Sequence, residues 1–286
     1  MSAGDQESWV DRKRFLVLGD GRQMAFVDSG GAGPVLLLLH GYSDSSRSFS
    51  LLQPWLLTYR LVMLDLPGHG ASAASEDLTV GGIADDVAAV LLALGIDRCI
   101  VIGHSMGAMV GMTLSVLLPE TVDALVLISG TLRPAFPAND PVTTGILGLS
   151  DPIDPTNPFF AHWYAGPQPL DQTFLGEVSR EAAAMPATVW KKILAELSQL
   201  DLTTTASQIA VPVLCLSGEG DMLFDAGHRL ALTQALPKSQ SIVLSGFGHN
   251  PHWECPSQVA LHAASFAQGI YGKRMHRNAV RWGTSS

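Results

Sequence analysis

The residues of this chain with the clearest chemical potential are a serine, a carboxylate and a histidine at positions 105, 221 and 249. Ser105 lies in Gly103-His104-Ser105-Met106-Gly107. Where such a G-x-S-x-G turn follows a strand and opens a helix, the serine is forced into strained geometry. Its hydroxyl is then lifted to the edge of a sheet, beside a helix N-terminus that favours developing negative charge. A hydroxyl is a weak nucleophile until a base takes its proton, so this turn calls for a histidine. His249, in Gly246-Phe247-Gly248-His249-Asn250-Pro251-His252, follows the last apolar run by a short loop, from which its ring can reach back to the serine. His252 is its rival, and can instead line the pocket or cap the next helix. The base needs an acid to hold its tautomer. Asp221 ends Ser217-Gly218-Glu219-Gly220-Asp221, after the preceding apolar run. Glu219 and Asp225 are the alternatives, Asp225 being equally suited to cap a helix. A tetrahedral intermediate also needs two N–H donors for its oxyanion. The backbone of Met106 is one candidate, and that of Tyr42, in His40-Gly41-Tyr42-Ser43-Asp44, is the other. Such a set suits acyl transfer from a carboxylic ester or lactone to water through an acyl-enzyme.

These groups must be positioned by elements, and the apolar pattern supplies them. Runs rich in β-formers recur at Arg14 to Leu18, Gln23 to Asp28, Val35 to Leu39, Arg60 to Leu64, Cys99 to Ile102, Ala124 to Ile128, Val213 to Leu216 and Ser241 to Leu244. From the third run onward they alternate with Ala/Leu-rich helical candidates at Gly81 to Leu94, Met106 to Leu118, Ala226 to Leu236 and Pro256 to Gln268. The alternation predicts an α/β fold with a mostly parallel eight-stranded sheet and helices on both faces. Gly19-Asp20-Gly21 suits a hairpin leading into an antiparallel edge. The glycine-rich Ser29 to Pro34 precedes its strand and lacks Gly-Lys-Ser/Thr, which excludes a phosphate loop.

Between Gly130 and Val211 the regular pattern stops and nine prolines crowd the interval. A loop of that length inside a domain is usually functional. It also carries Phe136, Phe159, Phe160, Trp163, Tyr164, Phe174 and Trp190, too many large apolar groups for a solvated linker. Residues 131–208 are therefore predicted to form a cap, and residues 1–130 and 209–286 a core. Tyr42, His104, Phe136, Trp163, Tyr164, Trp190 and His252 are the candidate substrate contacts, and the apolar cap suggests an uncharged or weakly polar substrate.

With these motifs in place the chain resembles the α/β-hydrolase superfamily over roughly residues 14 to 270, on the serine-nucleophile, esterase- or lactonase-like branch with a small cap. The resemblance rests on His40-Gly41, Asp65-Leu66-Pro67-Gly68-His69-Gly70-Ala71-Ser72, Gly103 to Gly107, Asp221, and Gly248-His249 with Glu254 and Pro256 following. It implies the chain order serine, acid, histidine, which favours Asp221, because the earlier strand end reads Ser129-Gly130-Thr131 and offers no carboxylate. It further implies structural roles for His40, His69 and His104. Epoxide hydrolases and haloalkane dehalogenases of this fold carry Asp at the elbow, so Ser105 argues against both. Carbon-carbon bond hydrolases, perhydrolases and acyltransferases use the same triad and remain open, as does a weakly catalytic receptor of the same fold.

Composition bounds the rest. A net charge of -9 and a pI near 5.4 disfavour nucleic acid as a partner. The basic stretch Lys273, Arg274, His276, Arg277 and Arg281 is expected to be a solvated tail beyond the fold. Nine histidines show no H-x-x-x-H or H-x-H-x-D spacing, so neither a catalytic metal nor another cofactor is expected. Cys99, Cys215 and Cys255 lack paired spacing and are expected as free, buried thiols. With no secretory-type apolar stretch in Met1 to Arg14 and no run of ~18 apolar residues, a cytoplasmic enzyme without a membrane span is expected.

Overall fold

The computed structural model describes the backbone of residues 3–282 and the side chains of residues 5–272. Each apolar run is a strand: β1 (Arg14–Val17), β2 (Gln23–Asp28), β3 (Val35–Leu39), β4 (Arg60–Leu64), β5 (Cys99–His104), β6 (Val122–Ile128), β7 (Val213–Gly218) and β8 (Gln240–Leu244). They form one sheet in the order β1-β2-β4-β3-β5-β6-β7-β8. The predicted hairpin makes β2 antiparallel to β1, and β2 is also antiparallel to β4. All later pairings are parallel.

Parallel strands covered on both faces read as continuous apolar runs, because alternate residues enter two different cores. In β3, Leu37 and Leu39 join one core and Leu36 and Leu38 the other. The first core receives α2 (Val80–Ala93), α3 (Met106–Leu117) and, through Leu232, α9 (Ala226–Ala235). The second is covered by α11 (Pro256–Trp282) and the turns around Phe49 and Leu52. The short α10 (Pro251–Glu254) leads into α11, which runs beyond the predicted end at Gln268. The backbone of the basic stretch continues this helix as far as Trp282, and its side chains lie outside the described residues.

Between β6 and β7 stand five helices, α4 (Pro141–Gly148), α5 (Pro158–Trp163), α6 (Gln172–Ala184), α7 (Ala187–Leu197) and α8 (Thr203–Gln208). Several prolines that interrupt the sequence pattern turn out to start helices. Pro141 and Pro158 occupy first-turn positions, where a missing N–H costs nothing, and Pro186 precedes α7. Asp140, Asn157 and Asp171 accept from the free N–H groups of Val142, Phe159 and Phe174 as N-caps.

One element has no counterpart in the sequence reading. Helix α1 (Ala3–Glu7) and a 3-10 turn (Ser8–Arg12) form a strap before β1. Trp9 is wholly buried, and its indole N–H donates to Ser46 Oγ at 3.2 Å. Just after the strap, Lys13 bridges Asp65 at 2.8 Å and Glu181 of α6 at 3.2 Å. Arg47 pairs with Glu181 at 3.0 Å and donates to the carbonyl of Gln6, and the Ser45 hydroxyl donates to Glu181. The three cysteines are buried and free. Among the described residues no helix is long and apolar enough to cross a membrane.

Candidate active site

Ser105 sits between β5 and α3 with φ 51° and ψ −115°, a left-handed conformation that a serine adopts only under constraint. The constraint is steric and comes from its neighbours. A Cβ on Gly103 would lie 2.3 Å from the carbonyl oxygen of Gly107, and one on Gly107 would lie 2.0 Å from that of Leu39. Only glycine permits helix and strands to approach this closely. The Ser105 N–H donates to Ile128 at 2.9 Å, which anchors the turn to β6.

The serine hydroxyl donates to Nε2 of His249 at 3.0 Å, and Nδ1–H of His249 donates to Asp221, 2.9 and 3.0 Å from its two oxygens. Three loops at the carboxyl ends of β5, β7 and β8 thus converge. Burial alone would raise the Asp221 carboxyl. The imidazole opposite and the N–H groups of Leu223 and Phe224, each 2.9 Å from Oδ1, outweigh it and hold the group below the usual carboxylate range. Of the two rival acids, Asp225 instead caps α9, accepting from Gly227 and His228, and Glu219 is exposed. Glu254 accepts the N–H of Gly248 at 3.0 Å and shapes the loop that carries His249.

The N–H groups of Met106 and Tyr42 have no protein acceptor among the described residues, as donors reserved for an oxyanion require. The Tyr42 hydroxyl donates to the carbonyl of Trp190 and is therefore turned away from the serine. Next to it Ser43, at φ 71°, accepts the indole N–H of Trp163 at 2.8 Å.

A cavity over Ser105 is lined by Tyr42, His104, Phe136, Trp163 and Tyr164, five of the seven predicted contacts. The other two lie behind it. Trp190 is wholly buried, its ring 5.0 Å from that of Tyr42 and its N–H given to Ala182, so it supports the wall without forming it. His252 lies behind His104, the ring centroids 4.2 Å apart and the planes tilted by 40°, and is bonded to Ser48, which removes it from both the pocket and the role of base. Sequence reading missed Asp44, Leu197, Leu223, Phe224 and Asn250 in the lining. Asp44 stands in the quoted motif around Gly41, while the others gain their position only through tertiary packing. The free space is only about 30 Å³.

His40 and His69 are packing residues. His40 donates Nδ1–H to Gly41 and accepts the N–H of Leu66 at 2.9 Å. His69 is buried beside it and pushed down to about 4 by desolvation. One buried group, Asp44, His104 and His252, offers metal-type donors within 4.8 Å of one another.

The chain matches the family model of the alpha/beta hydrolase fold over residues 34–256. It is 28% identical over 244 residues to the pimeloyl-[acyl-carrier protein] methyl ester esterase of Nitrosomonas europaea, covering 81% of this chain and 95% of that protein. It is 28% identical to the biotin biosynthesis bifunctional protein BioHC of Cellvibrio japonicus, over 83% of this chain but only 48% of that protein's length. Among solved structures, a bacterial membrane phospholipase A is 25% identical with a TM-score of 0.78, over 94% of this chain and 92% of that one.

Proposed function

The chain belongs to the α/β-hydrolase fold family and is a hydrolase, and from the contacts around Ser105 we propose that it cleaves a carboxylic ester or lactone through an acyl-enzyme. The observation that carries this reading is the unbroken hydrogen-bonded series from Ser105 through His249 to Asp221. Ser105 Oγ attacks the substrate carbonyl while Nε2 of His249 takes its proton. The oxyanion that forms accepts from the N–H groups of Tyr42 and Met106. The carbon–oxygen bond to the alcohol then breaks, and the imidazolium returns the proton to the leaving alkoxide. A water, deprotonated by the same nitrogen, attacks the acyl group and releases the acid and free Ser105. Asp221 stays ionised throughout, fixing Nδ1–H and stabilising the transient imidazolium.

Residues 131–208 act as a cap. In support, Pro134, Phe136, Trp163, Tyr164 and Leu197 from this segment share the cavity with Ser105 and His249. Their apolar character favours an uncharged acyl or alkyl group. The Nitrosomonas relative is a methyl ester esterase, which agrees with an ester substrate. Buried, reduced thiols at Cys99, Cys215 and Cys255 support a cytoplasmic site of action.

The test is labelling by a fluorophosphonate, followed by a panel of short and medium acyl esters and lactones with product analysis. Wild type is expected to label and turn over, and Ser105→Ala to do neither, with a loss on the order of 10⁴- to 10⁶-fold in kcat. Turnover that survives Ser105→Ala, or products from carbon–carbon cleavage or acyl transfer to another acceptor, would overturn the reading.

A further inference from the structure

Among the described residues the cavity lining holds one carboxyl, that of Asp44. Its Oδ2 lies 3.8 Å from Nδ1 of His104 and accepts from the Ser48 hydroxyl at 3.2 Å. Ser48 Oγ is also 2.9 Å from Nε2 of His252 and accepts the indole N–H of Trp253 at 3.0 Å. On its far side His104 meets the relay, with Nε2 3.1 Å from the main-chain carbonyl of His249 and the two rings edge to face at 5.1 Å.

A count of protons shows what this cluster requires. A carbonyl only accepts, so Nε2 of His104 must carry a hydrogen. In a neutral imidazole Nδ1 then presents a bare lone pair, and that atom is buried without a hydrogen-bond partner. An ionised Asp44 opposite would set anion against lone pair, and no Lys or Arg is paired with it among the described residues. One added proton removes the conflict. It can sit on the imidazole, giving two buried charges, or on the carboxyl, giving none. Burial acts in the second direction on both partners, raising Asp44 and lowering His104. Gly41 keeps the two groups face to face, since a Cβ there would stand 2.7 Å from Nδ1 of His104 and 3.3 Å from Oδ2 of Asp44.

We infer that Asp44 is a positioning residue that works as a neutral carboxylic acid, setting no anion against the lone pair of His104 Nδ1 3.8 Å away, so that His104 stays neutral and holds the main chain of His249 through Nε2–H. The inference rests on the reading of His249 as the base. Neutrality matters as much as the contact. A charged Asp44 would give His249 a second anion besides Asp221 and favour the imidazolium, which has no lone pair with which to accept the serine proton. The titratable groups that face Asp44 are His104, His249, His252 and the phenol of Tyr164.

Two variants and one spectrum test the assignment. Asn at position 44 keeps a donor and no charge, whereas Ala keeps neither donor nor charge. Asp44→Asn is expected to retain kcat within about threefold, and Asp44→Ala, which lets His104 drift from the His249 carbonyl, to lose about tenfold, the worth of that one hydrogen bond. The acid limb of kcat/KM is expected to stay in place in Asp44→Asn. If the native group were an anion, its removal would disfavour the imidazolium and move that limb to lower pH by about one unit or more, which overturns the inference, as does Asp44→Ala with wild-type kcat. Difference infrared spectra of resting wild type against Asp44→Asn are expected to show a protonated carboxylic acid band at neutral pH that the variant lacks. Absence of that band overturns the protonation whether or not the enzyme turns over. Failure of the hydrolase reading would appear separately, as a wild type that no serine probe labels.

Discussion

Gly107 leaves no room for even a methyl group, since a Cβ there would meet the Leu39 carbonyl at 2.0 Å. Gly107→Ala is expected to cost about 3 kcal/mol, the upper end for overpacking, and to slow probe labelling of Ser105, measured by denaturant unfolding and labelling rate. A second expectation concerns pH. His40, His69, His104 and His252 are all held neutral by burial. Below about pH 6.5 the unfolded chain takes up protons that these native imidazoles refuse, so their contribution to stability is whole above that pH and is lost as the pH falls toward 4. Asp44 and Glu254, raised by burial, oppose the trend at the acid end. Calorimetric melting temperatures should therefore be level from pH 8 to 7 and decline from 6.5 to 5, and a rise over that last interval would contradict the account. Ser105, His249 and Asp221 were legible because each follows a strand in a motif whose spacing carries its own mechanics. The Asp44 pairing was not, because His104 and His252 reach it only through tertiary packing.

At the scale of elements the strands were legible because burial on both faces writes an uninterrupted apolar run, and β2 to β4 appear with the predicted bounds. Three helices between β6 and β7 were hidden because Pro141, Pro158 and Pro186 read as breakers when they stand at helix starts. The strap was invisible for a different reason: one tryptophan among charged residues forms no pattern, and the partners of Trp9 and Lys13 lie 37 and 168 residues away. Its weight can be measured. Trp9→Ala removes a wholly buried indole and is expected to cost about 3–5 kcal/mol. Arg47→Met leaves Glu177 and Glu181 with one cation fewer in a buried network, at a cost of about 3–5 kcal/mol. Equilibrium unfolding in urea reads both, and losses under about 1 kcal/mol would show that the strap and its ion pairs contribute little to holding α6.

For the molecule as a whole, the free space of about 30 Å³ over Ser105 decides how substrate enters. Binding sites for small molecules typically offer about 300–1,000 Å³, so on the proposed function the lining must open before an ester can be seated. Trp163 forms part of the wall and ties α5 to Ser43. Trp163→Ala is expected to favour longer acyl esters over short ones by roughly tenfold in relative kcat/KM, the scale of a few methylenes in an apolar pocket. An unaltered ratio would place the size limit elsewhere. The strap that meets α6 also has a history in time. Trp9 packs on the strand core and Lys13 reaches both Asp65 and, 168 residues on, Glu181, so docking of this segment is completed only when β3, β4 and α6 are in place. Contacts of such long sequence separation form late, because the chain between them must be ordered first. In refolding, burial of Trp9 should follow assembly of the sheet, so that the enzyme gains its fold before it gains its closed site.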